Sequence, residues 1–416
     1  MSLKPTQPVK AQPYLMQNQI QNYEWGARDQ KAFIPKLLGI TPQPNTPYAE
    51  LWMGAHPKAS SQLSVDAELI SLDQWIAAHP VELLGKAIAK KFDGKLPFLL
   101  KVLSAGEALS IQAHPNKAQA KILHANAPQH YPDDNHKPEI AIALDSLTAL
   151  MGIKPFAELA DTLRRYPEIS GFIGADVCDK LTIAVDPGPH KQRDLARTLF
   201  TALLTRSVSR ASELNAAIDK LALRLGAAGT GTSEADALFL SLRRKYSDAD
   251  VGLFCIYLLN LVHLAAGQAM FAEAGVPHAY LGGNVIECMA SSDNVVRVGL
   301  TPKYKDAQAL IEILKYEPGT VDILGARPGS GTVTYKTPAP EFRVSRLSLK
   351  PGVSRHESTG NRPSIMVVTE GEISIRWEQG TESYRRGQSI FIPAALAEYS
   401  IWATQPAVIF KAEIPQ

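Results

Sequence analysis

Two kinds of text alternate along this chain of 416 residues, and their order constrains the fold more than any single motif. From about residue 153 to residue 267, apolar residues recur at helical spacing. Leu195, Leu199, Ala202 and Leu203 form one stripe, Leu214, Ile218, Leu221 and Leu225 another, with Lys and Arg on the opposite faces. Strand-like text stands on both sides of this block. Before it, Tyr14 to about Gly152 mixes short apolar runs with helical pieces such as Val81 to Lys91. After it, Ala269 to Phe271, Asn284 to Met289 and Asn294 to Val298 read as strands. The helical block is therefore expected to be inserted into a β-rich domain rather than to follow one. Further on, Arg343 to Leu349, Ser364 to Thr369, Glu372 to Trp377, Ser389 to Ile392 and Ala407 to Ala412 are short strands. Turns such as Glu370-Gly371 and Arg386-Gly387 separate them, the pattern of a sandwich or jelly-roll. The expected organisation is mainly β with a helical insertion: a disordered tail at 1–12, a discontinuous catalytic domain at 13–152 and 268–324, the insertion at 153–267, and a jelly-roll domain at 333–416.

Composition excludes several classes of function. A net charge of +2 gives no argument for nucleic acid or an anionic membrane as partner. No apolar run approaches the roughly 18 residues of a spanning helix. Met1 to Pro13 is polar, with Lys and Pro and no signal-peptide core. Cys178, Cys255 and Cys288 form no CxxC pair and no disulfide framework, so a reducing cytoplasm is expected, with the thiols buried. The glycine-rich stretches Gly226 to Gly231 and Gly325 to Thr332 lack the Gly-Lys-Ser/Thr of a phosphate loop and read as a helix connection and a linker. The expected partner is a small molecule, and the expected state a monomer.

The stretch from Leu96 to Glu139 carries the chemistry. Across Leu109 to His114 apolar and polar residues alternate, which places Ser110, Gln112 and His114 on one face of a strand that Pro115 ends. Gln112 and His114, two apart, can reach one ion. His136-Lys137-Pro138-Glu139 adds a carboxylate nearby. Taken alone, a histidine beside a proline is more often a loop residue than a ligand. Gly106, five residues, then Gln112-Ala113-His114 resembles the cupin pattern of glycine, five residues and His-x-His, with Gln in place of the first His. A second half is offered by Gly275-Val276-Pro277-His278-Ala279-Tyr280. Together these give Gln112, His114, Glu139 and His278, two imidazoles, a carboxylate and an amide oxygen, a set suited to zinc. The catalytic domain is thus expected to be a cupin-like jelly-roll, while Gly387 to Pro393 resembles the second cupin strand without its histidine and marks a metal-free half.

Longer motifs carry a more specific resemblance. Ile111 to Lys117, His136 to Glu139, Pro277 to Tyr280, Glu287 to Arg297 and Leu300 to Asp306 resemble the signatures of the type I mannose-6-phosphate isomerase family, as do Tyr23 to Gly26 and Glu50 to Gly54. The similarity runs in order from about 20 to 310 and is loose beyond 320. It implies a zinc enzyme, one ion per chain on the same four residues, that interconverts mannose 6-phosphate and fructose 6-phosphate.

That chemistry moves a proton between C1 and C2 through an enediol and needs a base, an electrophile and an anchor for phosphate. Zinc fits the second role. Arg297 and Lys303 suit the third, because guanidinium binds phosphate oxygens in a bidentate fork; Lys101, Ser110 and Lys137 are further donors. Glu287, among Val285, Ile286 and Met289, is the favoured base, with His136 and Asp293 as rivals. Glu50, Tyr280 and Trp25 complete the expected substrate contacts, and Glu50 has the alternative role of holding a ligand or cation in place. His56, His79, His124, His130, His190, His263 and His356 read as structural. Two other classes remain open on the residues alone. An iron cupin oxygenase would consume oxygen, and an inactive sugar-phosphate-binding protein would bind without turnover.

Overall fold

The computed structural model describes residues 7–66, 68–184, 187–227, 233–246, 249–325 and 331–416. Its centre is a pair of long antiparallel strands, Glu139–Ile153 and His278–Ala290. Both are buried toward their two ends and more open near the middle, so the buried stretches read as apolar runs rather than alternating ones. Around them a ten-stranded sheet is ordered Leu324–Gly325, Gln268–Ala272, Glu139–Ile153, His278–Ala290, Phe98–Ala105, Glu50–Met53 and Gln19–Gln21. Ile111–Ala113 joins it beside His278 and Val296–Gly299. This strand is shorter than the expected Leu109 to His114. The Leu109 amide is drawn off to the Tyr280 carbonyl, and the His114 carbonyl accepts from Gly275 at 2.8 Å.

Helices run from Phe156–Arg165 to Gly252–Leu258. Leu199, Leu203, Leu214, Ile218, Leu221 and Leu225 are buried in one core, with Leu195 and Ala202 packed at its margin. The helical text ends earlier than expected. Leu259–Leu264 is a strand, paired with Leu147 to Ile153, a short apolar run whose state is decided by that ladder partner rather than by its own spacing. Val81 to Lys91 forms two short helices parted at Gly85, whose φ of 85° only glycine adopts freely.

The C-terminal strands fold into two further sheets. The larger is ordered Thr332–Tyr335, Arg343–Leu349, Ala407–Glu413, Ser364–Glu370, Ser389–Ile392, Tyr14–Gln17, Gln62–Val65 and Glu68–Ser71. Its last three strands come from the N-terminal region, so the two ends of the chain are hydrogen-bonded into one sheet. One face packs on the four-stranded sheet of Arg355–Ser358, Glu398–Trp402, Glu372–Trp377 and Gly380–Arg385 through Met366, Ile373, Ile390 and Ile409. The other face, through Val344, Ile365, Phe391 and Phe410, shares a core with Leu100, Val102, Ile140 and Ile286 of the ten-stranded sheet. Of the expected tail, residues 1–6 lie outside the described residues, while Gln7 and Lys10 are hydrogen-bonded to Trp75 and Tyr14. Residues 228–231 of the first glycine-rich stretch and 326–330 of the second also lie outside them. The three cysteines are free and buried. No helix among the described residues is long and apolar enough to cross a membrane.

Inside the C-terminal sandwich a polar cluster replaces apolar packing at one end. Lys411 lies 2.9 Å from both Glu357 and Glu413, which also contact Arg355 and Arg343 respectively. Burial opposes the charge of both carboxylates, but Lys411 and the arginines outweigh it and hold them below the usual range. Lys411→Met leaves two part-buried carboxylates short of their cation and is expected to cost about 3–5 kcal/mol in urea denaturation. Because the folded pKa values are depressed, this stabilisation is complete above the unfolded value of about 4.3 and is lost as pH falls through the folded ones. The melting midpoint should therefore drop steeply on acidification, and less steeply in Lys411→Met.

Candidate metal centre

The central strands bring three side chains to one buried point. Glu139 starts one long strand and His278 the other, and His114 follows Ile111–Ala113. The Glu139 Oε1 lies 2.8 Å from His278 Nε2, and its Oε2 3.4 Å from His114 Nε2. One candidate ligand atom from each residue falls within 4.8 Å of the others. Gln112 is in register with both His278 and Arg297, and its amide reaches to 3.5 Å from His278 Nε2. A half-turn of that amide presents oxygen in place of nitrogen.

The other ring nitrogens decide what this cluster can hold. His114 Nδ1 donates to the Asn294 carbonyl at 2.8 Å, and His278 Nδ1 to the Val276 carbonyl at 3.0 Å. Both rings therefore turn a bare Nε2 lone pair toward the carboxylate. Burial, reinforced by Lys137, pushes the His114 pKa down to about 4, so that ring is neutral at physiological pH. Burial also opposes the charge on Glu139, but Lys137 at 3.2 Å outweighs it and keeps the carboxylate ionised. His114 Nε2 is buried with no hydrogen-bond donor among the described residues, and Glu139 Oε2 faces it at 3.4 Å with only the Lys137 ammonium beside it, at 3.2 Å. Lone pairs facing lone pairs in a dry interior are unfavourable unless a cation sits among them, and the donor set of two imidazoles and a carboxylate fits a divalent ion.

The remaining expected residues surround this point. Arg297 is half-buried on Val296–Gly299 and has no carboxylate partner among the described residues; burial lowers its pKa. Lys303 is exposed, with Nζ 5.9 Å from the Tyr23 ring centroid, and Tyr23 in turn stacks on the half-buried Trp25. Lys101 is buried between Glu287 at 2.9 Å and Glu50 at 3.5 Å. Burial alone would lower the Lys101 pKa, but the two carboxylates raise it. Glu50 also accepts from the Trp52 indole. Burial raises the Glu287 carboxyl despite Lys101. The Tyr280 hydroxyl donates to Glu139 Oε1 at 3.4 Å. Ser110, part-buried, stands one alternation before Gln112. His136 is turned toward Glu341 of the C-terminal region at 2.8 Å. Asp293 pairs with Lys58 at 2.7 Å and lies 3.5 Å from His56. Burial opposes its charge, but Lys58 holds its carboxyl low.

Residues 14–156 match the family model "Phosphomannose isomerase type I, catalytic domain". Mannose-6-phosphate isomerase of Rattus norvegicus is 39% identical over 391 residues, covering 90% of this chain and 92% of that protein. The chain belongs to the type I phosphomannose isomerase family. A mutant phosphomannose isomerase from Salmonella typhimurium superposes with a TM-score of 0.85 at 31% identity, over 97% of this chain and all of that one. A zinc-bound mannose 6-phosphate isomerase superposes with a TM-score of 0.84, also at 31% identity and over 97% and 100% of the two chains. The fold expected from the motifs, antiparallel sheets with a helical block, is that of these isomerases.

Several residues of the site escaped sequence reading. Asn294, fully buried, offers the carbonyl that orients His114, and its own amide is held by the Asp133 and Asn135 carbonyls. Asp133 also accepts from Ser292 and from the Asp293 amide. Both residues lie in or beside matched motifs, but most of their contacts run to or from backbone groups, which spacing does not display. His56, read as structural, stands beside Asp293. A divalent transition-metal ion titrated into metal-stripped protein should raise the melting midpoint, by about 2.7 kcal/mol of stability at a hundredfold excess over Kd. Glu139→Gln should abolish that increment in a calorimetric scan.

Proposed function

We propose that the chain interconverts D-mannose 6-phosphate and D-fructose 6-phosphate at a site holding one zinc ion on Gln112, His114, Glu139 and His278. The observation that carries this reading is the buried convergence of two imidazole Nε2 atoms on one carboxylate, one register position from a guanidinium that has no anionic partner among the described residues. Zinc suits this donor set and is bound in a solved relative. When bound, it supplies a Lewis acid toward sugar oxygens.

The chain's own residues supply the rest. Arg297 and Lys303 receive the phosphate, whose charge answers two neighbouring cations; burial and then Arg297 lower the Lys303 pKa. Glu287 is the base that takes the proton at one carbon and returns it at the other. Its carboxyl is raised by burial, and Lys101 fixes its orientation at 2.9 Å. The rival bases are engaged elsewhere, His136 with Glu341 and Asp293 with Lys58. Lys137 steadies Glu139, Tyr280 and Glu50 orient the groups around the reacting carbons, Ser110 adds a donor, and Trp25 walls the sugar. The reaction is assigned to the cytoplasm, a reducing compartment that suits three buried, unpaired thiols.

A coupled assay of fructose 6-phosphate formation, run before and after chelation, tests the assignment. Activity should vanish on chelation and return with zinc. His278→Ala should lose bound metal and turnover together. Arg297→Ala should keep one zinc per chain and lose activity on the order of 100-fold. Metal loss in Arg297→Ala would overturn the division between ligands and substrate residues.

A further inference from the structure

We infer that Asp250, carried by the helical insertion, is a positioning residue for the cationic loop that receives the substrate's phosphate. The inference rests on the assignment of Arg297 and Lys303 to that role. Val296–Gly299, the strand bearing Arg297, has four residues and one partner, the three-residue Ile111–Ala113, and the ladder slips its register between Arg297 and Gly299. So short a ladder does not by itself fix a side chain. The turn beyond Gly299 supplies the missing restraint.

Asp250 is buried, at 3% exposure. Its Oδ1 accepts from the Leu300 amide and from its own helix at Gly252, both at 2.8 Å. Its Oδ2 accepts from the Thr301 amide at 3.3 Å and stands 3.5 Å from Lys305 Nζ. One carboxylate thus clamps the turn between Arg297 and Lys303. Leu300 has a φ of 56°, a left-handed conformation that leucine rarely adopts and that needs outside support. The contact is close enough to require glycine on both sides: a Cβ on Gly252 would lie 2.7 Å from the Leu300 nitrogen, and one on Gly299 would overlap the Asp250 carboxylate. Without the clamp the turn loses two buried amide acceptors, and the guanidinium two residues upstream loses its fixed end.

The test measures KM and kcat for mannose 6-phosphate, competitive inhibition by inorganic phosphate, zinc content and melting midpoint. Asp250→Ala should raise KM and the phosphate inhibition constant together by about tenfold, with kcat changed much less and one zinc retained. Asp250→Asn, which keeps one acceptor oxygen, should recover part of that loss. Should the alanine variant fail to fold, Asp250→Asn and Gly299→Ala carry the test, the latter by pushing the turn off the carboxylate. A phosphate constant unchanged in all foldable variants, even with a lowered melting midpoint, would make Asp250 merely structural and overturn the inference. Zinc loss would do the same. Arg297→Ala is the control. If it leaves the phosphate constant unaltered, the phosphate assignment and the inference fall together; if it weakens phosphate while Asp250→Asn and Gly299→Ala do not, only the inference falls.

Discussion

Two imidazole nitrogens and a carboxylate, all presenting lone pairs to one another in a dry interior, form the interaction on which the rest of this structure turns. Such an arrangement repels itself unless positive charge is supplied. Part of that charge is permanent, since Lys137 lies 3.2 Å from Glu139. The remainder is the opening for a metal ion. The surrounding architecture serves to keep the lone pairs aimed inward. Backbone carbonyls of Asn294 and Val276 occupy the far nitrogen of each ring, and the two longest strands deliver Glu139 and His278 from rigid ladders rather than loops.

Each body outside the ten-stranded sheet also sends a buried carboxylate toward this centre. The helical insertion sends Asp250 to the turn after Arg297. The C-terminal region sends Glu341 to His136, three residues from Glu139. In each case a group from a body without candidate ligands restrains a segment that carries site residues. Their presence around the sheet thus has a physical reason beyond covering its apolar faces.

Much of this was legible in the residues. The alternation in Leu109 to His114 placed Gln112 and His114 together, and the matched motifs added Glu139 and His278; the structure brings all four to one region. The helical stripes of Leu199 and Leu214 were legible because buried faces at a period of 3.6 have few other readings. The gaps have physical causes. Leu259–Leu264 lies at a boundary where an apolar run fits either helix or strand until its partner is known. Asn294 and Asp250 act on backbone amides and carbonyls, which carry no signature in the sequence. Above all, the pairing of Tyr14–Gln17 with Ser389–Ile392 joins positions more than 370 residues apart, and no local pattern announces such a neighbour.

That pairing has a consequence for the order in which the molecule is made. Tyr14–Gln17 and Gln62–Val65 leave the ribosome long before Ser389–Ile392, the strand that completes their side of the sheet. Until then those early strands present unpaired edges, and their apolar face lacks the core it shares with Phe391 and Phe410. The sheet therefore closes only after Ser389–Ile392 has emerged, by long-range association that is slow and open to self-pairing between nascent chains. A premature stop anywhere before Ser389 would strip Tyr14–Gln17, far upstream, of its neighbour as surely as it removes the strands beyond.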